Sequence, residues 1–320
     1  MNDARPLNEG PLALLHGTVP PAPAWFARVI AQTPESAFVE VEGARIHYLR
    51  WGDRAKPGLL LVHGNAAHAY WWSFIAPWMA REYNVAAMDL SGMGDSDWRR
   101  GYSMQTFAKE QLAVCEAAGM FESSEPPVIA AHSFGGFVTM LTGDLYGGRL
   151  AGTVIIDSPV NPPDRGRAGP PKREIKPHNI YPTLPTALAR FRLMPPQTAE
   201  NLYLVDYVAR HSLKEVPLEN GGTGFTWKFD PAIWQDFSIG DTAARLKATK
   251  CRIAIFRGEN SVLMPPEIGE YMFNLLGRAA PVVEIPQAQH HVMLDEPLAF
   301  VAALRALLAD WNHSIPNRRI

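Results

Sequence analysis

The sequence predicts an α/β fold: a mostly parallel sheet with helices on both faces. Three observations predict it. Short apolar runs recur at residues 59–62, 85–88, 128–132, 152–157 and 251–256. Runs this short and this continuous suit strands buried on both faces. Segments with helical spacing separate them, as the alternation of a parallel sheet requires. Asn65, Asp89, Ser133, Asp157, Glu259 and His290 all follow strand ends, and chemistry in open parallel sheets collects at the carboxyl ends of the strands.

Residues 1–37 are rich in proline and form an extension, in which Trp25 to Ile30 reads as a short amphipathic helix. From Phe38 to Trp51 apolar and polar residues alternate, and Glu42-Gly43 reads as a hairpin turn. Residues 59–62 form the next strand. Residues 70–81 read as an aromatic helix carrying Trp71, Trp72 and Trp78. The strand at 85–88 leads into Asp89-Leu-Ser-Gly-Met-Gly-Asp-Ser, read as loop architecture. A helix spans 106–120, a strand 128–132, and another strand ends at Asp157. Residues 159–237 are proline-rich and contain no buried strand. The sheet resumes at 251–256, followed by a helix over 265–276 with proline at its start, where proline is tolerated. A strand at 281–285 and a helix at 297–311 close the chain. No internal repeat is visible.

The stretch Val128-Ile-Ala-Ala-His-Ser-Phe-Gly-Gly holds Ser133 between two small residues, Ala131 and Gly135. A serine on a tight strand-to-helix turn needs small neighbours, and the pattern is that of a nucleophile elbow. The following helix points its amino-terminal dipole at the serine and favours an oxyanion there. Upstream, Leu59-Leu-Leu-Val-His-Gly-Asn is a strand ending in His63-Gly64. Downstream, Val283-Glu-Ile-Pro-Gln-Ala-Gln-His-His is a strand followed by a histidine loop.

On these three stretches, in this order, the chain resembles the α/β-hydrolases from about Phe38 to about Trp311. The resemblance implies a core of residues 38–158 and 238–320, with residues 159–237 inserted as a mostly helical cap over the active site. It implies Ser133 as nucleophile, His290 as base, and an oxyanion hole from the backbone of Asn65 and Phe134, to which the Asn65 side-chain amide could add. His291 reads as a wall residue and His68 as structural.

Serine is a poor nucleophile unless a base lies within hydrogen-bond reach and a third group orients that base. Most members of the family place the acid in the loop that here is Gly258-Glu-Asn-Ser, where the position falls on Ser261. A hydroxyl cannot balance an imidazolium. Asp157 is the first candidate, because it ends the strand after the elbow, as in a subset of haloalkane dehalogenases; Glu259 is the second. Dehalogenation and epoxide opening need a carboxylate nucleophile, since attack by serine on an alkyl carbon would leave an ether that water does not cleave. Ser133 therefore points to acyl transfer: hydrolysis of a small carboxylic ester, with lactones and thioesters as close variants. A carbon–carbon bond hydrolase of ring-cleavage products is the runner-up. A ligand-sensing receptor with slow turnover is the rival of another class, kept open by the hydroxyl at Ser261.

Tyr203, Tyr207, Phe225, Trp227, Phe229 and Trp234 suggest an apolar pocket roof or the cap's own small core. Arg190 and Arg192 could meet a substrate carboxylate or pair with Glu200 or Asp206.

At 320 residues with 47% hydrophobic side chains, the chain can bury a large core in one domain or two. A formal net charge of −2 gives no general attraction to nucleic acid or an anionic membrane. No apolar run is long enough to span a bilayer, and Met1 to Pro6 lacks the basic start and apolar core of an export signal. Cys115 and Cys251 stand apart from any metal-like or redox-like pair and read as buried thiols in a reducing, cytoplasmic compartment. The expected partner is a small-molecule substrate, with no cofactor and no metal. The oligomeric state is not readable.

Overall fold

A computed structural model describes residues 10–165, 175–219 and 221–314; the reading of Met1 to Pro6 lies outside them. The short helix α1 covers Ala24–Ile30. Strands β1 (Glu35–Val41) and β2 (Ala44–Trp51) pair antiparallel through a tight turn. Glu42 and Gly43 both take positive φ there, 48° and 75°, the conformation a two-residue hairpin turn demands. The strands β3 (Gly58–Val62), β4 (Asn84–Met88), β5 (Val128–His132) and β6 (Gly152–Ile156) are buried along their whole length. β7 (Leu213–Pro217) and β8 (Thr223–Trp227) form a separate hairpin. β9 (Arg252–Gly258) and β10 (Val282–Ile285) complete the main sheet.

The main sheet runs β1-β2-β4-β3-β5-β6-β9-β10. Its first two pairings are antiparallel and the rest are parallel. Strand order reverses at β3, so the connections after β3 and β5 leave toward opposite faces and open a crevice at the carboxyl ends between them.

Alternate residues of each strand feed opposite faces. Leu59 and Leu61 join a core with α1, α2 (Ala76–Met79) and the long terminal helix α10 (Pro297–His313). Leu60 and Val62 join a core with α3 (Met104–Ala117) and α4 (Phe134–Tyr146). A third cluster packs Met140 of α4 against Ile155, Ile255, and Ile268 and Met272 of α8 (Pro266–Leu275), with Leu246 of α7 (Thr242–Ala248). At about 25 cal/mol per Å² of apolar area removed from water, these interdigitated faces supply the main drive for folding.

The helix expected over 70–81 is not continuous. A 3-10 turn (Ala69–Trp72) gives way to the four-residue α2, in whose first turn Pro77 sits. Proline lacks an N–H and its ring conflicts with the carbonyl one turn earlier, so a helix restarts there and does not run through. Trp72 and Phe74 are nonetheless fully buried.

Between β6 and β9 the chain leaves the main sheet. It forms α5 (Leu184–Leu188) and α6 (Leu202–His211), and then the β7–β8 hairpin, which the sequence reading does not contain. The buried positions of β8 are Gly224 and Thr226 and β7 is mostly exposed, so the hairpin carries none of the apolar continuity that marks the main strands. The segment is tied back to the core by Tyr102 Oη donating to Asp230 at 2.6 Å and by the Lys228–Asp95 ion pair at 2.7 Å. Among the described residues no helix is long and apolar enough to cross a membrane. Cys115 is buried, as expected; Cys251 is only partly so, and both thiols are free.

Candidate active site

Ser133 caps β5 and precedes α4 with φ 52° and ψ −117°. A non-glycine residue held there is strained and persists only where its surroundings over-determine it. Here its N–H donates to Ile156 O at 2.9 Å, tying the turn to β6. The small residues around it are sterically required. A Cβ on Gly135 would lie 2.5 Å from His63 O, and one on Gly136 would lie 2.0 Å from Ser158 Oγ and 2.8 Å from its Cβ. Gly136→Ala is accordingly expected to lower stability by about 1–3 kcal/mol; a urea denaturation midpoint equal to wild type would show that the turn has slack.

The loop after β3 lies against the same turn. A Cβ on Gly64 would come within 3.1 Å of Ser133 Cβ and 3.0 Å of His132 Nδ1. His63 braces this loop: its Nδ1 donates to Gly64 O at 2.7 Å, and its Nε2 accepts from Leu90 N at 3.1 Å. Burial pushes the His63 pKa down, consistent with this neutral tautomer. Asn65 follows and is exposed. Phe134 is the first residue of α4, so its N–H belongs to those that helix geometry leaves without an intrahelical acceptor.

The structure brings Ser133, His290 and Asp157 together. His290 Nε2 lies 3.1 Å from Ser133 Oγ, and His290 Nδ1 lies 2.8 Å from Asp157 Oδ1. Asp157 is fully buried and its carboxylate accepts two further bonds, from Gly258 N at 2.9 Å and from Ser261 Oγ at 2.6 Å. Three donors fix its plane. Ser261, at the position where the family usually places an acid, thus holds the acid that stands elsewhere. Glu259 is spent differently: its Oε2 accepts from Gln287 N at 2.7 Å and caps the turn after β10.

Two further imidazoles lie beside His290. His132 Nε2 is 2.9 Å from the carbonyl oxygen of His290, so the residue before the serine holds the backbone of the histidine. His291 is buried against Trp71 and His132. Burial, and then the neighbouring histidines, push the pKa values of both well below the ordinary range, so both are neutral. Nitrogens of His132, His290 and His291 lie within 4.8 Å of one another and could hold a metal ion. Both His290 nitrogens already serve Ser133 and Asp157, so a metal there would displace one of them. A second such set, His47, Asp89 and Asp95, anchors the turn after β4: Asp89 Oδ2 accepts from His47 Nδ1 at 2.7 Å and from Asp95 N at 2.8 Å. Burial raises the Asp89 pKa, but the hydrogen bond and charge of His47 outweigh it and hold it at about 2.

The remaining sequence candidates separate. His68 is buried, its Nε2 3.1 Å from Val208 O and 2.9 Å from Ser212 Oγ, which suits a structural part. Asp206 pairs with Arg210 at 2.7 Å, not with Arg190 or Arg192. Tyr203 and Tyr207 pack on Phe26 of α1, and Trp227 packs on Tyr181 and Phe191; these rings join the same cluster as Leu59 and Leu61, so they fasten the inserted segment to the main core and do not form a core of their own. Phe225 packs against that same core, and Phe229 faces His178. Trp234 differs: its ring meets Phe134 edge-on at 5.2 Å. Phe237 lies 5.8 Å from Phe134 and 5.9 Å from Phe107, completing an aromatic group beside the elbow. Sequence reasoning missed Phe237, because residues 231–236 form turns and carry no helical or strand spacing that would pair it with Trp234. A half-open cavity of about 680 Å³ lies elsewhere, lined by Gly10, Arg192, Met194, Gln197 and Glu200; none of Ser133, His290 and Asp157 lines it.

A nucleophile elbow, a histidine on its serine and a buried aspartate on that histidine, all at the carboxyl edge of this sheet, define an α/β-hydrolase site. The chain belongs to the alpha/beta hydrolase family, whose model matches residues 59–304. Among curated proteins it is 27% identical to human epoxide hydrolase 4 over 124 residues, 38% of this chain and 33% of that one. It is 29% identical to a lipase of Mycobacterium tuberculosis over 115 residues, 36% of this chain and 42% of that one. The chain spans about a third of the length of the epoxide hydrolases it matches, 33% of the human protein and 28% of one from Caenorhabditis elegans. Among solved structures it is similar in fold to a thioesterase domain from the curacin biosynthetic pathway, with a TM-score of 0.68, 21% identity, and coverage of 87% of this chain and 99% of that domain. An esterase from Mycobacterium tuberculosis gives a TM-score of 0.66 at 21% identity, covering 89% of this chain and 97% of that one.

Proposed function

We propose that this chain is a serine hydrolase that cleaves a small carboxylic ester with an apolar acyl or alcohol group through an acyl-enzyme. The observation that carries the reading is the unbroken relay from Ser133 through His290 to Asp157, at 3.1 and 2.8 Å. Asp157 accepts from Nδ1–H, which leaves the Nε2 lone pair facing the serine hydroxyl. Ser133 Oγ attacks the ester carbonyl as its proton passes to Nε2. The oxyanion meets the backbone N–H groups of Phe134 and Asn65, and the imidazolium then protonates the leaving alkoxide. Water, deprotonated by His290, releases the acid. An oxygen nucleophile without a carboxylate suits acyl transfer and not epoxide or alkyl halide opening, because a seryl ether would be a dead end.

In this reading residues 159–237 are a cap over a core of 38–158 and 238–320, with 1–37 as an extension. The partly exposed rings of Trp234 and Phe237, backed by the buried Phe107 and Phe134, offer an apolar wall to the substrate. The receptor reading rested on the hydroxyl at 261; that hydroxyl donates to Asp157 and leaves the histidine with an acid. Two free thiols, with burial holding that of Cys251 at about 11, fit a reducing, cytoplasmic setting.

The test is turnover of p-nitrophenyl butyrate together with labelling of the protein by a fluorophosphonate. Label on Ser133 and ester turnover are expected, with no turnover of styrene oxide. Label elsewhere, or none, would sink the reading. His290→Ala should lower kcat by about 10⁴ or more. His291→Ala should cost about tenfold or less, since its ring touches neither Ser133 nor Asp157. Comparable losses at the two positions would mean that the base is wrongly assigned.

A further inference from the structure

The loop that carries His290 is held from the inserted segment by side chains of residues 197–201, and the Gln197 amide lies nearest the histidine. Gln197 lies between α5 and α6. Its Nε2 donates to both oxygens of Asp295, at 2.8 and 3.0 Å, and its Oε1 accepts from His291 N at 3.1 Å. Asp295 Oδ2 in turn accepts from Gln289 N at 2.7 Å. The amide can face only one way, because the reversed orientation would set oxygen against carboxylate and N–H against N–H. His132 takes the carbonyl of His290 itself, at 2.9 Å. Three backbone groups around the base are thereby fixed: the N–H of Gln289 through Asp295, the carbonyl of His290 through His132, and the N–H of His291 through Gln197. Neighbouring residues reinforce the contact. Gln289 Nε2 donates to Thr198 Oγ1 at 2.7 Å, and Asn201 Nδ2 donates to the carbonyls of Leu294 and Asp295, both at 2.9 Å. Both ends of the short helix α9 (Val292–Asp295) are thus bound to residues 197–201.

We infer that Gln197 is a positioning residue: its amide, reaching from the inserted segment, sets the loop 289–295 so that the His290 imidazole sits between Ser133 and Asp157. The inference rests on the serine-hydrolase reading and deepens it. Without the amide, the N–H of His291 and the carboxylate of Asp295 each lose a partner, and the loop gains freedom at the one place where the reaction tolerates little. A misplacement of about 1 Å can cost about 10² in rate. The geometry of the relay therefore depends on how the inserted segment is seated.

The experiment compares the full-length wild type with Gln197→Ala in four measurements: kcat and KM on p-nitrophenyl butyrate, the rate of Ser133 labelling by a fluorophosphonate, amide hydrogen exchange across 289–291, and Tm. Gln197→Ala is expected to lower kcat and the labelling rate together by about 10- to 100-fold. KM should stay within about twofold, as for a group that does not bind substrate. Exchange at His291 should quicken while Tm moves by only about 2 °C. In the Asp295→Ala background the same substitution should add almost nothing, because the two act as one unit. Unchanged labelling and unchanged exchange would overturn the inference. A loss confined to KM would make Gln197 a substrate contact instead. Faster exchange in a protein whose wild type is never labelled at Ser133 would overturn the catalytic reading, and the positioning role with it.

Discussion

Ser133→Ala is expected to lower kcat/KM for p-nitrophenyl butyrate by about 10⁵- to 10⁶-fold, the loss seen when one member of such a relay is removed. The physical reason is that no other oxygen occupies the turn on which His290 Nε2 bears. The fold should survive. The Ser133 N–H bond to Ile156 O is a backbone bond and is kept, and α4 starts at Phe134 whatever the side chain at 133. Alanine bears the same positive φ that serine bears, so Tm should fall by only about 2–4 °C. The variant should also take no fluorophosphonate. Purified Ser133→Ala that hydrolyses the ester at the wild-type rate would remove the acyl-enzyme from the mechanism.

Asp157→Asn carries the second large effect, a fall in kcat of about 10⁴. An amide oxygen in the Oδ1 place can still accept from Nδ1 and Ser261 Oγ, but the NH₂ then meets the N–H of Gly258, which donates to position 157 in the wild type. It therefore tends to turn its NH₂ toward the imidazole and favour the wrong tautomer. It also carries no charge to balance the imidazolium. Glu259→Gln should be mild by comparison, because that carboxylate serves Gln287 N on the far side of the loop. Ser261→Asp in the Asp157→Asn background should recover part of the rate, since Ser261 Oγ lies 2.6 Å from the atom that His290 Nδ1 contacts. The outcome that reverses the assignment is a silent Asp157→Asn beside a crippling Glu259→Gln.

What was legible in the sequence was what local chemistry dictates. Buried strands announce themselves by unbroken apolarity, so β3 to β6 and β9 fall where the apolar runs place them. The elbow is legible because a serine at positive φ between a strand and a helix tolerates only small neighbours, and Ala131, Gly135 and Gly136 are those neighbours. The hairpin β7–β8 was not legible, because its buried positions on β8 are Gly224 and Thr226 and β7 is mostly exposed, which leaves no apolar run. The break before α2 turned on one proline within an otherwise helical aromatic pattern.

Sequence spacing also states which groups end strands, but not how far apart those ends lie. Asp157 and Glu259 both follow strands that reach the same edge, and nothing in either local stretch separates them. The sheet order decides: β6 lies between β5 and β9, so Asp157 meets His290 and Ser261 with Oδ1 and takes Gly258 N on Oδ2. The same holds for the two adjacent histidines. Only the path of the loop after β10, pinned by His132 and Gln197 from two distant parts of the chain and by Asp295 within the loop itself, turns His290 onto the serine and leaves His291 against Trp71. Contacts between residues so far apart along the chain are a property of packing, and packing alone set them.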